Sequence, residues 1–231
     1  MLRDVLVRGF NSETGQQVTC ITNRRDNSVS ENPILSLRTF KLKDGDLHLT
    51  THGLAHFPQV LRAFKSFKKD PTLAEKLGNG CEGVAYRTQK HSTIVIKRLD
   101  SNLILRSPEQ RILTMETISQ AVSDLGIDYL RVPKQYGYIS ANHEKYIIMQ
   151  HVPGVNLEAY FSTRGIQSRG ISNALVEQAF NEAKSLIDNY FNKNVISLDR
   201  YNPSDFRLIN VLINTNERSS RYPFVLYVLD Q

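Results

Sequence analysis

The chain has 231 residues, 40% of them hydrophobic and 23% charged, with a formal net charge of +6. A chain of this size and composition buries a core of its own, and it holds no apolar run near the roughly 18 residues that cross a bilayer. Its two cysteines, Cys20 and Cys81, lack a nearby Cys or His at metal-ligand spacing, so they read as free thiols in a reducing compartment rather than a disulfide framework or a zinc module.

The N-terminal stretch "MLRDVLVRGFNSETGQQ" carries Asp4 in a short apolar run and does not read as a secretory signal, so a cytoplasmic place of action is expected. Residues 1–50 are β-rich. "LSLRTFKLKDGDLHLT" alternates on both sides of Asp44-Gly45, a two-residue hairpin signal. "NRRDNSVSENP" is a polar loop. Residues 55–69 switch to helical periodicity, with Val60, Leu61, Phe64 and Phe67 on one face and Arg62, Lys65 and Lys69 largely off it. This is the densest basic cluster in the chain. It reads as a solvated helix face, with a docking patch as the alternative, and nucleic acid is not an expected partner.

Next comes "KLGNGCEGVAYRTQKHSTIVIKRLD", with Gly78, Gly80 and Gly83 at G-x-G-x-x-G spacing and Lys97 ending an apolar run. Such glycines alone are a weak signal, because any tight turn accepts them. Here two strands follow them, Val84-Ala85-Tyr86 and Ile94–Lys97, not the helix a dinucleotide fingerprint requires. A helix opens at Ser107-Pro108 and runs to about Leu125 before Gly126. "VPKQYGYIS" and "KYIIMQHV" read as a hairpin, "VNLEAYF" as a short helix, and "SNALVEQAFNEAKSLIDNYFNKN" as the longest amphipathic helix, with Leu175, Phe180, Ala183, Ile187 and Tyr190 able to share a face. "NVLIN" and "FVLYVLD" are strands.

Strand, glycine turn, strand and lysine, followed by "SDFRLINVLI" with Asp205 five residues before Asn210, and then a strand into Asp230, resemble the protein-kinase-like superfamily over residues 76–231. The resemblance implies an α+β fold of two lobes: a small β-rich lobe and a reduced helical lobe, preceded by an N-terminal hairpin and helix extension. The expected boundaries are 1–72 for the extension, 73–152 for the small lobe and hinge, and 153–231 for the reduced large lobe. The resemblance makes Met149 the gatekeeper and Gln150-His151-Val152 the hinge that binds adenine through its backbone.

Phosphoryl transfer asks a protein to position groups and neutralise charge. The implied cofactors are ATP and Mg2+. Gly78, Gly80 and Gly83 would cover the phosphates, and Lys97 would reach the α and β oxygens. A carboxylate on the helix would hold Lys97: Glu116 is the choice, with Glu109 the alternative, since an acid in the first turn also serves the helix dipole. Asn210 and Asp230 would supply oxygens to the metal. Asp205 would take the acceptor's proton, and Arg207 stands where family members often touch the γ-phosphate. Cys81 reads as a small residue filling the loop.

The pattern departs from the family in three places. Pro203-Ser204 replaces the usual His-Arg before the catalytic Asp. Asp230-Gln231 has no Phe-Gly after it, and no activation segment or further helices follow. The chain thus resembles the short effector kinases, with reduced large lobes, that some bacterial pathogens inject into host cells by routes needing no signal peptide. A truncated fragment or a degenerate pseudokinase would show the same departures. The leading expectation is a Ser/Thr-type protein kinase acting on an unidentified protein, with an activating partner left open. The alternatives are a small-molecule phosphotransferase of the aminoglycoside or choline type, a nucleotide-binding scaffold and, last, transfer of AMP.

Overall fold

A computed structural model describes residues 4–10, 17–23, 37–43, 45–80, 83–100, 106–162, 170–193 and 206–229. The fold is mixed α+β. Its chain contacts divide it into two units, one formed by residues 1–109 and 134–150 and the other by 110–133 and 151–231.

In the first unit, β1 (Asp4–Phe10) and β2 (Gln17–Asn23) pair with each other in an antiparallel ladder. The remaining strands are β3 (Arg38–Leu42), β4 (Gly45–Leu49), β5 (Ala74–Gly80), β6 (Gly83–Thr88), β7 (Ile94–Leu99), β9 (Gln135–Ala141) and β10 (Glu144–Gln150). They form one antiparallel sheet in the order β3-β4-β9-β10-β7-β6-β5. The expected β3–β4 hairpin is present, but its ladder closes at Leu42–Gly45. Gly45 is therefore a strand residue and not part of the turn. Its φ of +155° and a Cβ that would sit 2.1 Å from the Ser140 carbonyl oxygen require glycine there. At the same end of this sheet, β9 and β10 turn through Asn142 and His143, both with positive φ (49° and 68°), as a tight primed hairpin demands.

Helices α1 (Thr51–Ala55) and α2 (Phe57–Lys69) follow β4. Thr50 caps α1 by accepting from Gly53 N–H at 3.1 Å, while its own hydroxyl donates to the Gln135 carbonyl at 2.6 Å and its N–H to the Tyr136 carbonyl at 3.0 Å. These bonds fasten α1 to β9. Proline in the first turn starts α2, where an absent N–H costs nothing. Val60, Ala63, Phe64 and Phe67 are buried against Leu47, Leu49, Ile94, Ile96, Ile139, Tyr146 and Ile148. Each large apolar side chain among them contributes about 1.5–3 kcal/mol by leaving water. Ala63, rather than the expected Leu61, completes the buried stripe. Residues 38–69 thus add two strands and a covering helix to the sheet.

In the second unit the main helices are α3 (Pro108–Asp124), whose first two residues belong to the first unit, α4 (Leu157–Ser162) and α5 (Asn173–Lys193). α3 ends before Gly126, whose φ of +62° lets the Ile127 N–H return to the Val122 carbonyl at 3.1 Å. The sheet order is β11-β12-β13-β8, built from β8 (Leu130–Arg131), β11 (Val155–Asn156), β12 (Val211–Asn214) and β13 (Val225–Val228). β8 runs parallel to β13 and the other pairs are antiparallel. Val176, Ala179, Phe180, Ala183, Ile187 and Phe191 of α5 pack with Met115, Ile118 and Val122 of α3 and with Val211, Ile213 and Leu226 of the sheet. Leu175 and Tyr190, expected on the α5 core face, are only partly buried at its margin.

Candidate functional site

In the first unit the glycine segment is the β5–β6 hairpin, closed by the pair Gly80–Gly83, with a register shift between Lys76 and Gly78. The three expected glycines are not equivalent. Gly83 has φ +155°, and a Cβ there would lie 2.1 Å from the Arg98 carbonyl oxygen. The sheet itself demands glycine at 83. At Gly78 no heavy atom lies within 4 Å of where a Cβ would be, and φ needs no glycine. Among the described residues nothing packs against that position, so the open space above it is a place where another molecule can approach the backbone closely. Gly80 pairs with Gly83. Cys81 lies outside the described residues.

Lys97 sits on β7 opposite Ala85 of β6 and Ile147 of β10. Strand alternation puts it on the same sheet face as Val95 and Leu99. That face is apolar: Val95, Leu99, Ile147 and Met149 form a buried cluster with Ala85 packed against it. It is the face opposite α2, since the intervening Ile94 and Ile96 belong to the α2 cluster. Lys97 is only 8% exposed. A lysine held that far from water on an apolar face is costly unless anionic groups meet its ammonium. Met149, the expected gatekeeper, pairs with Val95 inside this cluster. Gln150 follows at the strand end, its N–H donating to the Lys134 carbonyl at 2.9 Å and its Oε1 accepting from Lys134 N–H at 3.3 Å. Leu77, 40% exposed beside the hairpin's irregularity, was not singled out by sequence pattern.

Glu109, the alternative partner for Lys97, has its carboxylate engaged by the Tyr138 hydroxyl. Burial pushes this carboxyl up, but the bonds from Tyr138, its own backbone and Ser107, with the field of His48, carry it below the ordinary range. Burial, with the adjacent Glu109 carboxylate, raises the Tyr138 hydroxyl. His48 stacks on Tyr138 with centroids 4.2 Å apart. Burial lowers its pKa despite the opposing fields of Asp46 and Glu109.

In the second unit, Arg207, Leu208, Ile209 and Asn210 form a 3-10 turn leading into β12. All four carbonyls of this short segment are bonded. The Asn210 N–H donates to Arg207 at 2.9 Å, the Val211 N–H to Leu208, the Leu229 N–H to Asn210 at 2.7 Å, and the Asn156 side-chain amide to Ile209. Asn156 is a residue that sequence pattern missed. Its Oδ1 also accepts from the N–H groups of Glu158 (2.8 Å) and Ala159 (3.4 Å), so one side chain both caps α4 and grips the turn. The signal available was an Asn directly before a helix. Phe206 is 2% exposed, its ring tilted against that of Phe180 with centroids 5.5 Å apart, and anchors the turn from below. Arg207 is exposed. The bond between Leu229 and Asn210 brings the end of β13 beside Asn210. Asp205 and Asp230 lie outside the described residues. Glu116, half-buried, is on the part of α3 in the second unit, whereas Lys97 is in the first. Val152 is 8% exposed and packs with Val225 and Tyr227; among the described residues no partner meets its backbone N–H or carbonyl. A cavity of about 210 Å³ lies elsewhere in this unit, lined by Gly154, Val155, Tyr160, Ile213, Asn214, Thr215 and Asn216.

No family model matches the sequence, and no curated protein matches it. Among solved structures, the chain aligns with the protein kinase Rad53, residues 1–466, in complex with AMP-PNP. The TM-score is 0.42 at 13% identity, covering 94% of this chain and 57% of that one, so the chain spans little more than half its length. It also aligns with the GDP and kanamycin complex of the aminoglycoside phosphotransferase APH(2")-IIia, with a TM-score of 0.34 at 12% identity, covering 76% of this chain and 72% of that one. Likeness at this level carries nothing about chemistry, which rests on the residues described above.

Proposed function

We propose that the chain is a Mg-ATP-dependent phosphotransferase that moves the γ-phosphoryl group to a hydroxyl, with Ser or Thr of a protein as the acceptor. The observation that carries this is Lys97, 8% exposed on an apolar sheet face, on the strand beside a hairpin whose Gly78 has, among the described residues, no packing reason to be glycine. An apolar wall fits a purine base, a buried cation fits phosphate oxygens, and a bare backbone admits them closely.

In this reading the apolar face of Ala85, Val95 and Met149 holds the base, with the backbone of Gln150 and Val152 as hydrogen-bonding groups. Gly78, Gly80 and Gly83 cover the phosphates, and Lys97, held by Glu116, orients the α and β oxygens. Arg207 offsets charge on the γ group. Asp205 accepts the proton of the attacking hydroxyl as its oxygen bonds to the γ-phosphorus and the bond to ADP breaks. The side-chain oxygens of Asn210 and Asp230 are the hard donors that Mg2+ prefers. The metal, when bound, neutralises phosphate charge. Anchoring of the Arg207–Asn210 turn through all four of its carbonyls supports this assignment, because transfer depends on groups held in place before the substrate arrives.

The test is ATP labelled on the γ-phosphate, incubated with the protein, Mg2+ and a cell lysate, with products separated into protein and small-molecule fractions. Label in protein supports the proposal, and label only in small molecules moves the acceptor to that class. A parallel reaction with α-labelled ATP whose label enters an acceptor identifies AMP transfer instead. Stabilisation by ATP with no transfer under any condition makes the chain a nucleotide-binding scaffold.

A further inference from the structure

We infer that the outward face of α2 is a docking surface for an acidic protein segment that carries an apolar residue at one end. α2 contains no acidic residue, and its four cations are Arg62, Lys65, Lys68 and Lys69. At about 100° per residue, Arg62, Lys65 and Lys69 fall within about 60° of one another, over about 10 Å of helix. That stripe lies directly opposite Val60, Ala63, Phe64 and Phe67, which are buried in the sheet. All three of its side chains are exposed, and among the described residues none forms an ion pair. The nearby acids are already engaged: Glu144 with Lys68 at 2.9 Å and with the Tyr146 hydroxyl, and Asp70 with the N–H and hydroxyl of Thr72. Like charges three and four residues apart on a helix repel one another. Their repulsion falls when a partner brings carboxylates.

The remaining features select the kind of partner. A helix that binds a lipid surface inserts its apolar face, but the apolar face of α2 is occupied by the sheet. Single-stranded nucleic acid is held by exposed aromatic side chains, whereas the exposed large apolar residues in the described structure are Leu73, Leu77, Leu125 and Ile209, none of them aromatic. Leu73 is 63% exposed and follows Lys69 by four residues, in the 3-10 turn Pro71–Leu73. A row of cations ending at an exposed leucine matches a peptide whose acidic residues run up to an apolar side chain. Three cations give a weak, salt-sensitive contact. Such a contact suits docking that raises the local concentration of a partner engaged elsewhere.

The experiment measures anisotropy of a labelled peptide of Glu and Ser ending in Leu-Leu, on the full chain at low salt. Controls are the Gln-for-Glu peptide, phosphatidylserine vesicles and a single-stranded oligonucleotide. Arg62→Glu/Lys65→Glu/Lys69→Glu is the test protein, and Arg62→Gln/Lys65→Gln/Lys69→Gln guards against a folding defect. The acidic peptide is expected to bind the wild type, to weaken with added salt, and to lose at least about tenfold in affinity to the charge-reversed protein. The Gln variant is expected between the two, with melting temperatures alike, and Leu73→Ser weakens binding separately. Equal binding by the reversed and wild-type proteins overturns the inference. So does absence of peptide binding, or preference for the vesicles or the oligonucleotide. The readout does not depend on phosphoryl transfer, so the docking surface and the proposed activity fail independently.

Discussion

Gly78 and Gly83, five residues apart in one hairpin, give opposite outcomes on replacement by alanine. A Cβ at 83 would stand 2.1 Å from the Arg98 carbonyl oxygen and 3.1 Å from the Leu99 Cα, on a backbone with φ +155°. The first contact is about 0.9 Å inside the 3.0 Å that real Cβ atoms keep. The atoms in the way are backbone, so β6 must part from β7 at its first pair, Gly83–Leu99. Dihedral strain alone costs about 1–3 kcal/mol, and with the parted strands about 3 kcal/mol is expected. For a chain of this size that lowers the melting temperature by about 6–12 °C. At Gly78 the added methyl meets nothing, so Gly78→Ala folds as well as the wild type or gains about 0.5 kcal/mol through the unfolded chain. It does, however, fill the space assigned to phosphate, and ATP affinity is expected to fall about tenfold, near 1.4 kcal/mol. The assay is a thermal melt of both variants with and without Mg-ATP. Gly78→Ala should melt normally without nucleotide but gain less stabilisation from it. Full stabilisation of Gly78→Ala by Mg-ATP would refute the phosphate assignment, and a wild-type melt for Gly83→Ala would refute the packing argument.

Two further outcomes follow from the side chains around these elements. Asn156→Asp keeps the acceptor that caps α4 but removes the donor to the Ile209 carbonyl. The turnover number is expected to fall about tenfold while the KM for ATP and the melting temperature hold; a fall in melting temperature with unchanged turnover would make the bond to Ile209 merely structural. His48, lowered from 6.5 by burial, takes its proton later than in the unfolded chain as pH falls. Stability is therefore lost as the pH drops below about 6.5, levelling off under the folded-state pKa, with the Glu109 contribution following below 4.5. Urea unfolding at stepped pH should show the first loss in wild type but not in His48→Gln, and an identical profile in both would remove His48 from the account.

The order of elements was legible because its signals are local: Pro108 inside a helix start, Gly126 just after a helix end, and the apolar run that ends at Lys97. The close approaches were not. Gly45 looked like a turn residue next to Asp44, yet its glycine is required by Ser140, almost a hundred positions away in sequence. The same holds for Gly83 against Arg98: a spacing motif suggested ligand contact for all three glycines, and only the sheet distinguishes the one it needs from the one it does not. Leu61 and Ala63 exchanged places because periodicity ranks side chains by size, while a helix on a sheet also needs a small residue where the two surfaces come closest. Asn156 escaped notice because its second partner, Ile209, is 53 residues away. α2 was legible as amphipathic, and its cover over the sheet explains which face stays basic.

The central claim is that this chain transfers a phosphoryl group, and single-turnover transfer from γ-labelled ATP to lysate acceptors tests it most directly. Wild type would be run beside Lys97→Ala and Asp205→Ala with Mg2+ present, and beside wild type with the metal chelated. The account predicts labelled acceptor with wild type alone, and loss of the label in both variants and on chelation. Equal labelling by Lys97→Ala would contradict it.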